Sequence, residues 1–381
     1  MITKSSIYLP LHYGHPPQYL LQRMKKLAAA ISKILIEEHG TKEFLKRIAD
    51  PLWFQSFGCV LGFDWHSSGL TTVVTGVLQQ SIISQNRGIM ISGGKGKKSS
   101  LPKREIPKLA EGTNIPSKKI SELVYASKMA AKVDNTAVQD GYNLYHHTIF
   151  FDEQGNWTIV QQGMKSDIKM ARRYHWISDN VASTFLSEPH SGIICDKTHQ
   201  NVLDMTACDS IETQKTTLDL IRGNPQNLIS SVKRLNCRKT TLDDWITYDR
   251  NNQRSIDFTD SYEMPRHLNW NIIKKIYDIQ PKNYEELVSI NGVGPSLIRA
   301  LSLISQLIYG SKTSWKDPVR YSFAHGGKDG VPFPVDRNTF DKSIRFLRDA
   351  IEGGEISRNE KILALKKLSR NLKIILPGYS D

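Results

Sequence analysis

The stretch YEELVSINGVGPSLIRALSLISQLIY, residues 284–309, predicts two helices joined by a tight turn. Apolar residues recur at helical spacing on both sides of the segment Asn291-Gly-Val-Gly-Pro295. Gly292 and Gly294 permit positive φ values and leave the backbone N–H groups of the turn open to a close partner. These N–H groups lie at the start of the second helix, where the helix dipole favours an anion, so the turn is suited to bind a phosphate.

The segment Ile290-Asn-Gly-Val-Gly-Pro, followed by Arg299-Ala-Leu, resembles a helix-hairpin-helix motif. Motifs of this kind bind the phosphates of a DNA backbone without reading the base sequence. The resemblance implies that role for Gly292, Val293, Gly294 and Arg299. A helix pair packed around a glycine turn for structural reasons alone is the alternative. We favour nucleic acid, because the apolar residues are correctly placed on both sides of the turn and the chain is basic.

The composition is that of an ordinary globular protein with an excess of positive charge. The chain has 381 residues, enough for two or three domains, and 39% of them are hydrophobic. Lys and Arg number 51 against 38 Asp and Glu, so the formal net charge is +13. A polyanion is therefore the expected partner, because a basic surface gains affinity by releasing the counterions condensed on nucleic acid. A solvated charged surface is the alternative.

The sequence contains neither an evident targeting segment nor a common cysteine motif. Met1-Ile-Thr-Lys4 does not begin a signal peptide, and no apolar run reaches membrane-spanning length, which predicts a cytoplasmic protein. The four cysteines form no Cys-x-x-Cys pair, so neither a zinc ribbon nor a disulfide framework is expected. A homodimer is compatible with the sequence, which indicates no interface for one.

In the N-terminal part, the apolar run from Cys59 to Phe63 predicts a buried strand, and a helix follows from Thr71 to Ile83. Asp64 and His66 would then lie just beyond a strand end, where the ligands of open α/β sheets gather. Asp64 as a turn or helix-capping residue fits the sequence equally well.

A second strand, Ile89 to Ser92, leads into the loop Gly93-Gly-Lys-Gly-Lys-Lys98. The loop lacks the Lys-Ser/Thr ending of a nucleotide-binding P-loop. The segment from Lys95 to Lys108 contains six basic residues and one acid, so Lys95 and Lys97 belong either to a solvated linker or to an arm along a phosphate backbone. We favour the arm.

The segment from Asp134 to Gln161 is the richest in residue types that carry chemistry. It includes a predicted β-hairpin, with strands over 147–151 and 157–161, whose alternation places His147 and Thr148 on opposite faces. Carboxylates that gather near histidines hold Mg²⁺ or Mn²⁺ in phosphodiesterases, and the metal activates a water molecule. We therefore expect a catalytic neighbourhood whose members are Asp64, His66, Asp134, Asp140, His146, His147 and Gln161. The metal ligands would be Asp64, Asp134 and Asp140, while each histidine taken singly fits a buried structural role better.

Basic and aromatic residues alternate shortly afterwards, in Met170-Ala-Arg-Arg-Tyr-His-Trp176. Arginine binds phosphate with two parallel hydrogen bonds, and aromatic faces stack on bases. We expect Arg172, Arg173 and His175 to contact DNA.

The chain as a whole predicts two structured domains. An α/β or α+β domain with a mixed sheet would cover residues 1–187, a polar and partly helical connector 188–263, and an all-helical DNA-binding domain 264–381.

Several longer phrases are similar to those of the prokaryotic family labelled domain of unknown function 763. These phrases are Leu9-Pro-Leu-His-Tyr-Gly, Gly62-Phe-Asp-Trp-His-Ser-Ser-Gly, Gly93-Gly-Lys-Gly-Lys, Gln161-Gln-Gly-Met, Ala171-Arg-Arg-Tyr-His-Trp, Ile290-Asn-Gly-Val-Gly-Pro and Ala324-His-Gly-Gly-Lys-Asp-Gly-Val-Pro. The resemblance implies an archaeal or bacterial setting and no particular reaction.

The leading hypothesis is a DNA-processing enzyme, a divalent-metal nuclease that acts on single strands, ends or branched junctions. One alternative is a DNA-binding or scaffolding repair protein without catalysis. Another is a helix-hairpin-helix DNA glycosylase, because Val335-Asp336 is similar to a pair found in that class. In the glycosylase hypothesis Lys328, which follows the hairpin, is a further DNA-binding candidate, although a lyase lysine is hard to align there.

Overall fold

The structure is a computed structural model that describes residues 18–62, 69–83, 88–181, 184–195, 197–237, 264–265, 267–319, 345 and 347–375. The strands are β1 (Ile89–Lys95), β2 (Val138–Gln139), β3 (Asn143–Asp152), β4 (Trp157–Lys165), β5 (Met170–Ile177), β6 (His190–Ile194) and β7 (Leu203–Asp204). The helices are α1 (Gln18–Ala49), α2 (Pro51–Leu61), α3 (Gly69–Ile83), α4 (Pro102–Ala110), α5 (Ser117–Lys132), α6 (Ile211–Arg222), α7 (Pro225–Cys237), α8 (Trp270–Ile279), α9 (Tyr284–Ser289), α10 (Pro295–Tyr309), α11 (347–353) and α12 (Arg358–Ile375).

A five-stranded sheet, in the order β1-β3-β4-β5-β6, forms the centre of the molecule. Every pairing in it is antiparallel. The predicted α/β or α+β class is therefore confirmed in its α+β form, and the predicted mixed sheet is wrong. Short turns join β3 to β4 and β4 to β5, and strands joined in this way pair as antiparallel hairpins. The predicted hairpin over 147–161 is confirmed.

Strand alternation divides the side chains of this sheet between two hydrophobic cores. Ile149 and Ile159 pack into the core that α5 shares with the helices α6 to α10. Phe150 and Val160 pack on the opposite face, against α1, α2 and α3. Leu368 of α12 also contributes to this second core. The sheet is thus covered by helices on both faces, so polar side chains on the central strands become buried.

The strand predicted from Cys59 to Phe63 is wrong, because residues 51–61 form helix α2. Asp50 caps this helix by accepting hydrogen bonds from the backbone N–H groups of Leu52 and Trp53. Every residue of α2 is buried, so its apolar run reflects a helix enclosed on all sides. Asp64 and His66 were expected to follow the end of that strand, and this argument no longer applies. Both residues lie outside the described part of the chain.

Strand β6 lies beyond residue 187 and completes the central sheet. Helices α6 and α7, which fall in the predicted connector 188–263, share a hydrophobic core with α9 and α10. The division at residues 187 and 263 stays a prediction. Among the described helices, none combines the length and the apolar character needed to cross a membrane.

Candidate functional site

Helices α9 and α10 are joined by the glycine turn that the sequence predicts. Asn283 caps α9 by accepting a 2.8 Å hydrogen bond from the backbone N–H of Glu286. Gly292 has φ +97°, a value that favours glycine, and Val293 is buried beneath the turn. Gly294 then occupies the N-cap position of α10 in an extended conformation. Each feature follows from a residue type in the sequence.

The N-terminus of α10 is open to solvent. Gly292, Pro295 and Ser296 are exposed, and Gly294 is half-buried. A Cβ atom placed on Gly294 would meet no other atom within 4 Å, so the space in front of this residue is empty. Backbone N–H groups at the start of a helix lack intrahelical partners and favour negative charge. The turn therefore presents a surface that an anion can approach closely.

Two lysines of α5 lie beside this turn. Nζ of Lys128 donates a 2.8 Å hydrogen bond to the carbonyl oxygen of Ser289, at the end of α9. Nζ of Lys132 donates to the carbonyl oxygens of Ile290, at 3.3 Å, and Val293. Burial, and then the nearby charge of Lys128, lowers the pKa of Lys132. The lysines brace the turn and place two positive charges next to the helix N-terminus.

The remaining basic candidates occupy different settings. Arg299 is half-buried, with Nη1 3.0 Å from Oε1 of Gln139 and its guanidinium carbon 5.4 Å from the ring centre of Trp315. It therefore braces α10 in the described structure. Lys95 and Lys97 are exposed at the end of β1 and in the 3₁₀ turn that follows. Lys328 lies outside the described residues.

Asp134 is at the centre of a buried hydrogen-bond network, in a single π-helical turn that ends α5. Its Oδ1 accepts a 2.6 Å hydrogen bond from Nε2 of His190. Its Oδ2 accepts hydrogen bonds from Nε2 of Gln161 at 2.5 Å and from Nε1 of Trp176 at 3.0 Å. Both carboxylate oxygens are therefore occupied by donors from three strands of the sheet.

The network continues from Gln161 to His147, as the sequence predicts. Nδ1 of His147 lies 2.7 Å from Oε1 of Gln161, and Nε2 lies 2.8 Å from Oγ of Ser127. Since Gln161 uses its amide nitrogen for Asp134, its oxygen accepts from Nδ1 of His147, and Nε2 accepts from Ser127. Burial lowers the pKa of His147, which favours this neutral state.

Asp140 lies in a second buried cluster, with Arg172 and Asp317. Oδ2 of Asp140 accepts hydrogen bonds from Nη1 of Arg172 at 2.9 Å and from the hydroxyl of Tyr174 at 2.6 Å. Nη1 and Nη2 of Arg172 also donate to the two carboxylate oxygens of Asp317, at 3.0 and 2.7 Å. The side chain of Arg172 is fully buried, so it joins two carboxylates inside the protein and is not presented to DNA.

His146, Arg173 and His175 lie on the opposite face of the sheet. Nε2 of His146 lies 3.1 Å from the hydroxyl of Thr75, and burial lowers its pKa to about 3. Arg173 donates to Nε2 of His175 at 2.9 Å and to Oε1 of Gln55 at 2.8 Å. All three side chains are buried, so the structure separates His146 from the network of Asp134 and encloses the other two.

The described residues do not provide the expected metal centre. The oxygens of Asp134 and Asp140 already accept hydrogen bonds, and one oxygen of Asp140 faces a guanidinium group. Within the described ranges, no three His, Cys, Asp or Glu side chains are grouped so that they could hold a metal ion. Asp64, the third predicted ligand, lies outside those ranges. Asp134 and Asp140 therefore use their oxygens for hydrogen bonds within the protein, and the Mg²⁺ or Mn²⁺ site stays a prediction.

His190 and Asp317 complete the two clusters and were not predicted as site residues from the sequence. His190 pairs with Trp176 across β5 and β6, and Asp317 follows α10 by eight residues. Neither position carries a local pattern, because each contact joins segments far apart in the chain. The alternation of β5 was the one available signal, since it predicts that Arg172 and Tyr174 share a face.

Comparison with known proteins identifies a family and no closer relative. No significant match was found among curated proteins or among solved structures. A family model described as Protein of unknown function (DUF763) matches residues 5–335, which is most of the chain. The chain therefore belongs to the DUF763 family.

Proposed function

We propose that this protein binds DNA, and that the turn between α9 and α10 holds a backbone phosphate without reading base sequence. The observation that carries the proposal is the exposed start of α10, where Gly294 leaves space for a close partner. A helix N-terminus with free N–H groups favours a phosphate through both hydrogen bonding and its dipole.

Positive charge near the turn supports the same proposal. The ammonium groups of Lys128 and Lys132 donate hydrogen bonds to the carbonyl oxygens of Ser289 and Ile290, just before the turn that starts α10. The whole chain carries a formal net charge of +13. Electrostatic binding of this kind falls steeply with salt, because condensed counterions return to the DNA.

The test replaces Gly294 with Ser and measures binding of fluorescein-labelled duplex and single-stranded DNA by anisotropy at several salt concentrations. Serine is a good N-cap, so α10 keeps its stability, while the added side chain fills the space and its oxygen accepts the N–H of Leu297. We expect a several-fold loss of affinity at an unchanged melting temperature. Gly76→Ala, within α3 and without any neighbour at 4 Å, is the control. Undiminished binding by Gly294→Ser would contradict the proposal.

Metal-dependent cleavage of single-stranded, end or branched DNA is a second candidate. The buried group of Asp134, His147 and Gln161, which the sequence predicts to lie together, is the observation in its favour. Because the oxygens of Asp134 and Asp140 already accept hydrogen bonds, Mg²⁺ or Mn²⁺ would need further donors, and Asp64 and His66 are the candidates from the sequence.

Incubation with end-labelled single-stranded, duplex and forked DNA, with Mg²⁺, with Mn²⁺ and with chelator, separates the candidate activities. Products that require the metal would support a nuclease. Abasic sites formed in chelator would support the glycosylase alternative. Binding without products in every condition would favour the scaffolding role.

A further inference from the structure

A cleft of about 400 Å³ lies between strands β6 and β7 and the segment 314–319 that follows α10. Its lining is acidic, with four carboxylates against one lysine. These residues are Glu188, Asp204, Asp209, Asp317 and Lys316. His190 also lines the cleft and is 6% exposed. Strand β7, one wall of the cleft, pairs with Gln139 of β2, whose side-chain amide donates a 2.9 Å hydrogen bond to the carbonyl oxygen of Pro295 at the start of α10.

Two buried side chains present polar atoms to this cleft without a protein partner. Nε2 of His190 donates to Asp134, and no residue in the described part of the chain makes a hydrogen bond to Nδ1 of that ring. Oδ1 of Asp204 accepts from the N–H and the hydroxyl of Thr206, at 2.8 and 2.6 Å. Oδ2 of Asp204 accepts no hydrogen bond from the described residues, although the side chain is only 5% exposed. Both residues line the same cleft.

These acceptors are held in fixed orientations. Nε2 of His190 donates to the carboxylate of Asp134, and in the tautomer with the proton on Nε2 the lone pair is on Nδ1. The backbone N–H of Asp204 donates a 3.0 Å hydrogen bond to the carbonyl oxygen of Ser314. This hydrogen bond joins the two walls of the cleft. A ligand that donates hydrogen bonds would find both acceptors already oriented.

The electrostatic setting favours a cation. Arg172 is shared between Asp140 and Asp317, so its single charge does not neutralise both carboxylates. Burial raises the pKa of Asp204, so placing a negative charge there is costly until a positive partner arrives. A phosphate would meet like charges, and no group of three metal ligands is present in the described ranges.

We propose that this cleft binds a small ligand that carries a guanidinium or ammonium group, which donates hydrogen bonds to Oδ2 of Asp204 and Nδ1 of His190. The residues that line this cleft differ from those of the turn between α9 and α10, and the proposal does not depend on DNA binding.

The experiment is calorimetric titration of the full-length protein with agmatine, with putrescine and with adenine, a neutral ligand of similar size. We expect saturable binding of agmatine or putrescine at one site. Asp204→Asn should weaken it at least tenfold, because the carboxylate charge is lost while Thr206 keeps an acceptor. Asp219→Asn, an exposed acid on α6, removes the same charge outside the cleft and should change the affinity less than twofold.

A second variant keeps the test decisive if Asp204→Asn does not fold. Ala207 lines the cleft, and Ala207→Phe would fill part of it while preserving every side-chain hydrogen bond described here. Loss of agmatine and putrescine binding in Ala207→Phe, with the parent melting temperature and DNA affinity, would support the proposal. It would be overturned by absence of saturable amine binding at millimolar concentration, by unchanged binding in folded Asp204→Asn or Ala207→Phe, or by binding of adenine alone.

Discussion

Nε2 of His190 lies 2.6 Å from Oδ1 of Asp134, although 56 residues separate them in the chain. Strand β6 carries the imidazole and the π-helical turn after α5 carries the carboxylate. The hydrogen bond orients the imidazole of His190, which lines the acidic cleft, and leaves Nδ1 without a partner among the described residues. Asp134 in turn is fixed by Gln161 and Trp176, so one buried carboxylate connects the sheet, α5 and the wall of the cleft.

Gly292→Ala should destabilise the hairpin of α9 and α10. The new Cβ atom would approach Cδ1 of Ile272 at 2.4 Å, and the backbone φ of +97° is unfavourable for alanine. Crowding and backbone strain together should cost about 1–3 kcal/mol in the free energy of unfolding, measured by denaturant titration. Gly76→Ala is the matched control and should stabilise by about 0.5–1 kcal/mol, because alanine is the better helix former. Equal stability of the two variants would show that the turn is looser than described.

Arg172→Met should destabilise the fold strongly. The change leaves Asp140 and Asp317 buried without their shared cation, and breaking a buried ion pair costs about 3–5 kcal/mol. Thermal unfolding measures the loss. Lys312→Met removes a cation from the exposed pair with Asp209 and should leave the melting temperature nearly unchanged. A small effect of Arg172→Met would mean that the two carboxylates are protonated or solvated.

The free energy of unfolding should fall as the pH is lowered from 7 towards 5. Burial lowers the pKa values of His146, to about 3, of His147 and of His175. The folded state therefore keeps these rings neutral, while the unfolded chain takes up protons below about pH 6.5, so the stability present above that pH is lost on acidification. Each ring contributes up to about 1.4 kcal/mol per pH unit.

Denaturant titration at pH 7, 6 and 5 measures this pH dependence. His146→Gln should reduce the slope of the free energy of unfolding against pH by an amount that corresponds to at most one proton. Thr75→Val removes a hydrogen bond of His146 but keeps every imidazole, so it should shift the stability without changing the slope. An unchanged slope in His146→Gln would contradict the assignment to that ring. Asp140 and Asp204, whose pKa values are raised by burial, act in the opposite sense at pH values above the unfolded pKa of about 3.9, so they reduce the net slope.

Lys95→Gln with Lys97→Gln should weaken DNA binding at low salt if the exposed lysines follow a phosphate backbone. Each lost phosphate contact should reduce the slope of log affinity against log salt by about 0.9 on duplex DNA. Anisotropy at four salt concentrations measures the slope. Lys312→Gln, next to the acidic cleft, is the control and should leave it unchanged. An unaltered slope in the double variant would restrict the DNA surface to the hairpin region.

The sequence by itself determined the elements whose signals are local. The helices of 284–309, the turn at Gly292 and the β-hairpin over 147–161 follow from apolar periodicity, glycine and turn chemistry within a few residues. The pairing of His147 with Gln161 was also accessible, because hairpin register places them opposite each other. The apolar run of α2 was misassigned because a buried strand and a buried helix share the same composition.

Only the tertiary structure decided which polar groups are buried and with whom they pair. Arg172 looks like a phosphate ligand in sequence, yet it meets Asp317, 145 residues away. His190 meets Asp134 only because β6 adds to β5 and because α5 packs on that face of the sheet. Helices on both faces turn the polar residues of the central strands into interior residues, and burial without a partner would be costly. Such pairings depend on strand order and layer packing, which a local pattern does not encode.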